Sequence, residues 1–203
     1  MPRLRSLTLD EFDPELRAML NADQKTEREL RPTSVRAHHP ELAKAYVRYN
    51  AALKEFAQIS TRLRELLRLR IAFHNQCRSC MAMRYADAVD AGVTEALVCS
   101  LEKPHEAADL TQAERVALRY ADLMATNHLA IDDALYARLK EHFSEKEIVE
   151  LGTWCAICIG FGRLAATWDM TEDLPERFRD SANTRVTPWG PDAWVTGSVS
   201  KVS

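Results

Sequence analysis

Apolar residues recur every three or four positions along most of the chain, which is the spacing that gathers them on one face of an α-helix. In the segment PELAKAYVRYNAALKEF these positions are Leu42, Ala45, Tyr46, Tyr49, Leu53 and Phe56. Pro40, which opens that segment, suits the first turn of a helix. The next segment, TRLRELLRLRIAF, repeats the pattern with Leu63, Leu66, Leu67, Leu69 and Phe73. Two amphipathic helices are therefore predicted, and the second should end near His74 and Asn75.

Two later helices are predicted from their start signals. Thr111 and Glu114, and again Ser144 and Glu147, have the spacing of a capping box, in which each side chain bonds the other residue's free backbone amide. No segment alternates apolar and polar residues between turn signals, so no sheet is expected. The predicted fold class is all-α, a helical bundle.

The two ends of the chain differ from its middle. Residues 1–34 contain one short helix candidate, DPELRAML, and then a charged stretch with little to bury, which predicts a loose N-terminal arm. Residues 35–174 form the predicted all-α domain. Residues 175–203 lose the helical period, and an irregular C-terminal tail is expected. Its Trp189 and Trp194 need a covering surface, for which we favour a neighbouring subunit over the chain's own helices.

The composition of the chain argues against nucleic acid and membranes as its partners. The chain has 203 residues, 46% of them hydrophobic, and a formal net charge of -3, so no basic face for nucleic acid is indicated. No segment was expected to reach the roughly 20 apolar residues of a membrane span, and no signal peptide is recognisable. A cytoplasmic location without nucleic acid or membrane partners is expected.

Five cysteines make a poor disulfide framework in that compartment, so a pair spaced as CxxC indicates thiol chemistry, metal binding or packing. Cys77 and Cys80 lie where a new helix is predicted to begin, and the free amides and dipole of a helix start favour a thiolate. Arg78 and Arg84 add positive charge. Burial as small apolar side chains is the alternative, but the polar flanks favour reactive thiols.

A second pair, Cys155 and Cys158, lies within a strongly apolar helical segment and is interpreted as core packing. A zinc site built from both pairs would require them to face one another. Cys99 is also interpreted as a core residue. No cofactor and no metal are predicted.

The opening half of the domain resembles a known family. Eleven residues separate Glu65 from Cys77-x-x-Cys80 in RELLRLRIAFHNQCRSCMAMRYADAVDAG, and this looks like the core of the AhpD-like alkylhydroperoxidases of the carboxymuconolactone decarboxylase family. The segments LTQAERVALRYADLMA and FSEKEIVELGTWCAICIGFGRLAAT are similar to that family's second half. The resemblance implies an AhpD-like helical bundle that assembles as trimers or hexamers. It also implies that Cys80 attacks the peroxide, Cys77 resolves, and Glu65 relays protons.

The chain departs from the family motif at two positions, because Ser79 and Arg84 stand where the motif has histidines. Arg84 can hold a thiolate by charge and Ser79 can donate a hydrogen bond, but neither is a base at ordinary pH. His74, within one turn of Cys77, is a candidate substitute base. The alternative for Glu65 is a surface ion pair with Arg62 or Arg68.

Three functions remain open at this point. The first is a thiol-dependent peroxidase or disulfide reductase, with a hydroperoxide or disulfide substrate and a dithiol reducing partner. The second is a lyase like the family's namesake, which needs no cysteine pair. The third is a non-catalytic, redox-sensing helical assembly.

Overall fold

The structure is a computed structural model that describes residues 2–180, 182–183, 185–190 and 192–196. The remainder of the predicted tail, residues 197–203, lies outside the described part. The helices are α1 (Pro14–Met19), α2 (Glu27–Arg36), α3 (Pro40–Glu55), α4 (Thr61–Asn75), α5 (Arg78–Ala82), α6 (Ala86–Asp90), α7 (Glu95–Ser100), α8 (Gln112–Thr126), α9 (Asp133–Lys140), α10 (Glu145–Trp168) and α11 (Glu176–Arg179). Short 3-10 turns occur at Leu9–Glu11, Ala22–Gln24 and His128–Ala130. The all-α prediction is confirmed.

The core lies between α4, α8 and α10, which carry most of the contacts between helices. Their inward faces supply one apolar cluster that includes Leu66, Leu69, Leu118, Leu151 and Cys155, all fully buried. Both predicted capping boxes are present and start α8 and α10. Helix α4 begins at Ser60, whose side chain accepts the backbone N–H of Leu63, and ends at Asn75 as predicted.

Helix α10 corrects one expectation. By length and composition it could cross a membrane, although no segment of that kind was expected. In this structure it packs against α4 and α8, and it contributes Ile148, Leu151 and Cys155 to the core.

The charged stretch after α1 is helical rather than loose. Thr26 and Glu29 form a capping box that starts α2, and Leu30 and Val35 of that helix are buried. Lys44 of α3 forms ion pairs with Glu15, Glu41 and Asp13 at 2.8, 2.6 and 3.5 Å. The pairs with Glu15 and Asp13 fix α1 to α3.

The tail packs on the chain's own helices. Trp194 and Val195 form strand β2 (Trp194–Val195), which pairs in parallel with β1 (Met83–Arg84), a two-residue sheet that the sequence did not predict. The ring of Trp189 lies 5.0 Å from that of Phe73, between ring centroids. Within the described residues Trp189 therefore packs on the chain's own helix α4, which was the less favoured of the two expected covers.

Gly162 sets the closest approach of α10 to the end of α4. A Cβ at this position would lie 2.5 Å from the side-chain nitrogen of Asn75. That nitrogen donates to the carbonyl oxygens of Cys158 and Ile159, at 3.0 and 3.3 Å. The absence of a side chain at Gly162 lets the Asn75 amide bond the α10 backbone.

We expect Gly162→Ala to destabilise the protein by about 1–2 kcal/mol, because the added methyl group displaces the Asn75 amide from its two acceptors. Gly160→Ala is the matched control: nothing lies within 4 Å of a Cβ there, so it should stabilise the helix by roughly 0.5–1 kcal/mol. Urea unfolding of both variants at one protein concentration measures the difference. Equal shifts in the two free energies of unfolding would contradict this description of the contact.

Candidate active site

The chain reverses direction between α4 and α5, and this turn gives the two cysteines different surroundings. Gln76 adopts a left-handed conformation with φ of 49°, which ends α4, and Cys77 follows as the N-cap of α5. A disulfide joins Cys77 to Cys80, with their Cα atoms 5.2 Å apart. Cys77 is fully buried against Val35 and Trp168, whereas Cys80 is half-buried. The pair therefore has one enclosed sulfur and one sulfur near an open space.

That space is a cavity of about 670 Å³, bounded by α2, α3, α4, α5, α10 and the tail. Cys80, Ser79, Glu65 and Cys158 line it. Aromatic side chains form much of the remaining wall, namely Tyr46, Tyr85, Trp154, Phe161 and Trp194. The basic residues of the wall are Lys25, Arg28, Arg31, Arg36, Lys54, Arg64 and Arg68. The cavity is large enough for an organic ligand.

Glu65 is paired with Arg68 in the interior and not at the surface. The guanidinium donates two hydrogen bonds of 2.7 Å to the two carboxylate oxygens, and both side chains are more than nine-tenths buried. Arg68 also donates to the carbonyl oxygens of Cys80 and Met83, at 2.7 and 2.8 Å. Burial alone would lower the pKa of Arg68, but the carboxylate of Glu65 outweighs it and raises that pKa. Arg68 remains charged, and it joins α4 to the CxxC turn.

Tyr85 and Cys158 complete the surroundings of the pair. The guanidinium carbon of Arg68 lies 4.8 Å from the centre of the Tyr85 ring. Burial raises the pKa of Tyr85 to about 12, although Arg68 partly opposes the increase. Burial likewise raises the pKa of Cys158 to about 12, and that of Cys155 well above its ordinary value. Both of these thiols are therefore neutral at physiological pH and poor nucleophiles.

Arg84 does not reach the cavity among the described residues. It is 1% exposed, and its guanidinium donates to Glu95 at 2.8 and 3.0 Å. It also donates to the carbonyl oxygens of Met81 and Pro188, at 2.9 and 2.7 Å. These bonds fasten the tail to the turn after α5. Arg68, and not Arg84, is the arginine that both lines the cavity and bonds the backbone of Cys80.

His74 is engaged elsewhere. Its Nε2 lies 2.6 Å from a carboxylate oxygen of Asp122, which also accepts a 2.6 Å hydrogen bond from Arg70. Burial alone would raise the pKa of Asp122, but the bonds from His74 and Arg70 lower it overall. In the described part of the chain, the His74 ring is bonded to Asp122 and to neither cysteine. The structure thus brings together Cys77, Ser79, Cys80 and Glu65 but not Arg84 or His74.

Two further corrections concern single residues. Cys99 is exposed and not part of the core. Ser79 lies near the enclosed sulfur, since its Oγ is 3.6 Å from Cys77 Sγ, and it also lines the cavity. Within the described residues, no group of three or more His, Cys, Asp and Glu side chains could hold a metal ion.

Sequence reasoning missed Arg68 as a member of the site. Its position three residues after Glu65 was recognised as an ion-pair spacing, but that signal does not distinguish a surface pair from a buried one. Cys158 was likewise assigned to packing, although it lines the cavity. No signal within one helical turn of Arg68 or Cys158 distinguishes a residue of a cavity wall from one in ordinary packing.

Comparison with known proteins relates part of the chain to a sequence family. Residues 40–123 match the sequence model of the carboxymuconolactone decarboxylase family. The uncharacterized protein Rv2313c of Mycobacterium tuberculosis is 40% identical over 89 residues, which are 43% of this chain and only 31% of that protein's length. The uncharacterized protein YdfG of Bacillus subtilis is 29% identical over 119 residues, covering 55% of this chain and 81% of YdfG.

Solved structures show the same fold at low identity. The AhpD core of an uncharacterized peroxidase-related protein from Ralstonia eutropha superposes with a TM-score of 0.69 at 18% identity, covering 94% of this chain and 97% of that one. The debrominase Bmp8 gives a TM-score of 0.68 at 20% identity, with 82% and 90% coverage. The resemblance carried by the spacing of Glu65 and Cys77 is therefore confirmed: residues 40–123 match the carboxymuconolactone decarboxylase family, and the chain has an AhpD-like helical fold.

Proposed function

We propose that the protein is a thiol-dependent oxidoreductase that reduces hydroperoxides or disulfides with its Cys77–Cys80 pair. The observation that carries this proposal is the difference between the two sulfurs. Cys80 lines the cavity, whereas Cys77 is fully buried beside it. A substrate in the cavity therefore meets the Cys80 sulfur first, and Cys77 is placed to react with Cys80 afterwards.

The proposed cycle transfers two electrons. The Cys80 thiolate attacks the terminal oxygen of a hydroperoxide, the O–O bond breaks, and the leaving alkoxide takes a proton to become an alcohol. Cys80 is then a sulfenic acid. The Cys77 thiolate attacks its sulfur, which forms the disulfide and releases hydroxide, and the proton that left the Cys77 thiol converts this hydroxide to water. An external dithiol restores both thiols by exchange and is itself oxidised to a disulfide.

Glu65 is the proposed proton carrier for the alkoxide. It lines the cavity that contains Cys80, and its carboxylate is held in one orientation by two hydrogen bonds from Arg68. Arg68 itself cannot give up a proton at ordinary pH. Its part is electrostatic, because a cation beside Cys80 favours the thiolate over the thiol.

We further propose that the protein is a homo-oligomer, a trimer or hexamer. Large apolar side chains remain exposed on α3 and α10 and at their ends, including Leu42, Phe56 and Val149 at 65%, 68% and 70% exposure. Exposed large apolar side chains of this kind are typical of subunit interfaces.

The lyase and redox-sensor hypotheses make different predictions. A lyase would keep its activity when both cysteines of the pair are replaced. A redox sensor would form the disulfide once and show no sustained consumption of hydroperoxide when a dithiol is supplied.

Replacing each cysteine should separate the two roles. We expect Cys80→Ser to abolish the reaction of the reduced protein with hydroperoxide, and Cys77→Ser to retain one reaction that stops at a sulfenic acid. Mass spectrometry after trapping with dimedone measures this. Cys99→Ser, at an exposed free cysteine, is the control and should behave like the unaltered protein. A dimedone adduct on Cys77 in Cys80→Ser would reverse the assignment.

Glu65→Gln should have opposite effects on two rates. Removing a negative charge near Cys80 should leave thiol alkylation at neutral pH equal or faster, while loss of the proton carrier should slow hydroperoxide turnover by roughly a hundredfold. Glu95→Gln, which alters the carboxylate paired with Arg84, should change neither rate. Unchanged turnover in Glu65→Gln would refute the proton-carrier role.

Val149→Asp should weaken the proposed assembly, because a charge would be buried in an apolar interface. Light scattering at micromolar concentration should give a lower mass for this variant than for Ala96→Asp, a control at an exposed position on α7. A monomeric mass for the unaltered protein would contradict the proposal.

A further inference from the structure

The cavity beside Cys80 is elongated and follows one face of α4. Residues Thr61, Arg64, Arg68, Ala72 and Asn75 all line it, and their spacing of three and four places them along one stripe of the helix. At about 1.5 Å per residue this stripe is roughly 20 Å long. Such a length suits an extended ligand better than a compact one. The aromatic walls provide contact for an apolar body.

The charge of the wall is opposite in sign to that of the whole protein. Seven basic and four acidic side chains line the cavity, whereas the complete chain has a formal net charge of -3. Several of the cations already have partners: Arg31 pairs with Asp173, Lys54 with Asp87, and Arg68 with Glu65. The excess positive charge lies with the remaining cations.

Arg36, one of those remaining cations, is half-buried among aromatic rings. Its guanidinium lies over the rings of Tyr46, Trp168 and Phe161, at 4.4, 5.1 and 5.8 Å from their centres. One nitrogen donates to the carbonyl oxygen of Pro32 at 3.2 Å. Its Nε is buried without a hydrogen-bond partner in the described structure, and none of the ion pairs among described residues includes it. Burial lowers its pKa, and the groups that oppose this shift are Tyr46 and Tyr85 and not a carboxylate of the described residues.

Arg64, farther along the cavity, also has buried nitrogen atoms that lack hydrogen-bond partners among the described residues. It contacts the ring of Trp154, and its Nε and one terminal nitrogen are buried without hydrogen-bond partners among the described residues. Buried cations normally have a counter-charge, since leaving one unpaired is costly. Arg36 and Arg64 both line the cavity.

Arg36 is also connected to the redox pair. Trp168, over which its guanidinium lies, packs in the same apolar cluster as Cys77, with Cys80 at the edge of that cluster. Arg36 and Cys80 also line the same cavity. A ligand whose anionic group binds Arg36 therefore lies in the cavity that Cys80 lines.

We propose that the cavity binds an elongated amphipathic carboxylic acid, with its carboxylate on Arg36 and its apolar body along α4. This inference rests on the proposed function in one respect: the hydroperoxide reduced at Cys80 would be the hydroperoxide of such an acid. The guanidinium supplies the charge and the planar donors that a carboxylate prefers. The aromatic rings exclude water from that contact and strengthen it.

Binding to the oxidised protein tests the carboxylate site without any turnover. Dodecanoate should bind roughly ten- to a hundredfold more tightly than 1-dodecanol, which has the same apolar body and no charge. Arg36→Met, which keeps the apolar stem, should remove this difference. Arg48→Met, at an exposed arginine on α3, should preserve it. Equal affinities for the two ligands in the unaltered protein, or a difference that survives Arg36→Met, would overturn the proposal.

Turnover then links the site to the redox pair. The hydroperoxide of linoleic acid should have a KM at least tenfold below that of its methyl ester, and Arg36→Met should bring the two values together. If dodecanoate binds as expected but no hydroperoxide is consumed, the carboxylate site stands and the proposed peroxidase function fails. If hydroperoxides are consumed with equal KM for acid and ester, the carboxylate proposal fails and the peroxidase function stands.

Discussion

The bidentate pair between Glu65 and Arg68 is the interaction on which the site depends. An ion pair with so little access to water is not a large source of stability in itself, because desolvation of both charges offsets their attraction. Its contribution is positional. Arg68 uses its remaining donors on the carbonyl oxygens of Cys80 and Met83, where the short helix α5 ends. The Arg68 side chain thus fixes the position of the Glu65 carboxylate relative to the turn that contains Cys80.

The same arrangement gives the two cysteines unequal surroundings. Cys77 is enclosed by Val35, Trp168 and Met170, while Cys80 is at the edge of that cluster and in the wall of the cavity. A second buried arginine, Arg84, fixes the other side of the turn through Glu95 and the carbonyl oxygen of Pro188. The tail then covers α4 with Trp189. Two buried arginines, Arg68 and Arg84, thus hold this short turn in place.

Local signals in the sequence were sufficient for the helices but not for the partners of charged residues. The capping boxes at Thr111 and Ser144 and the end of α4 could be predicted because each depends on residues within one turn. The eleven-residue gap between Glu65 and Cys77 also led to the family whose sequence model matches residues 40–123. The partners of Arg84 and His74 were not predictable, since Pro188 and Asp122 lie 104 and 48 positions away. Helix α2 was missed because its charged composition conceals the buried Leu30 and Val35.

The central claim, that Cys80 is the sulfur available to a substrate, is tested most directly by brief alkylation of the reduced, folded protein with a small amount of iodoacetamide. Trypsin cleaves after Arg78, so Cys77 and Cys80 fall in separate peptides, IAFHNQCR and SCMAMR. Mass spectrometry of the two peptides compares their rates of modification. The account predicts that Cys80 is alkylated first, at least tenfold faster than Cys77, because only Cys80 lines the cavity. Faster alkylation of Cys77 would contradict it.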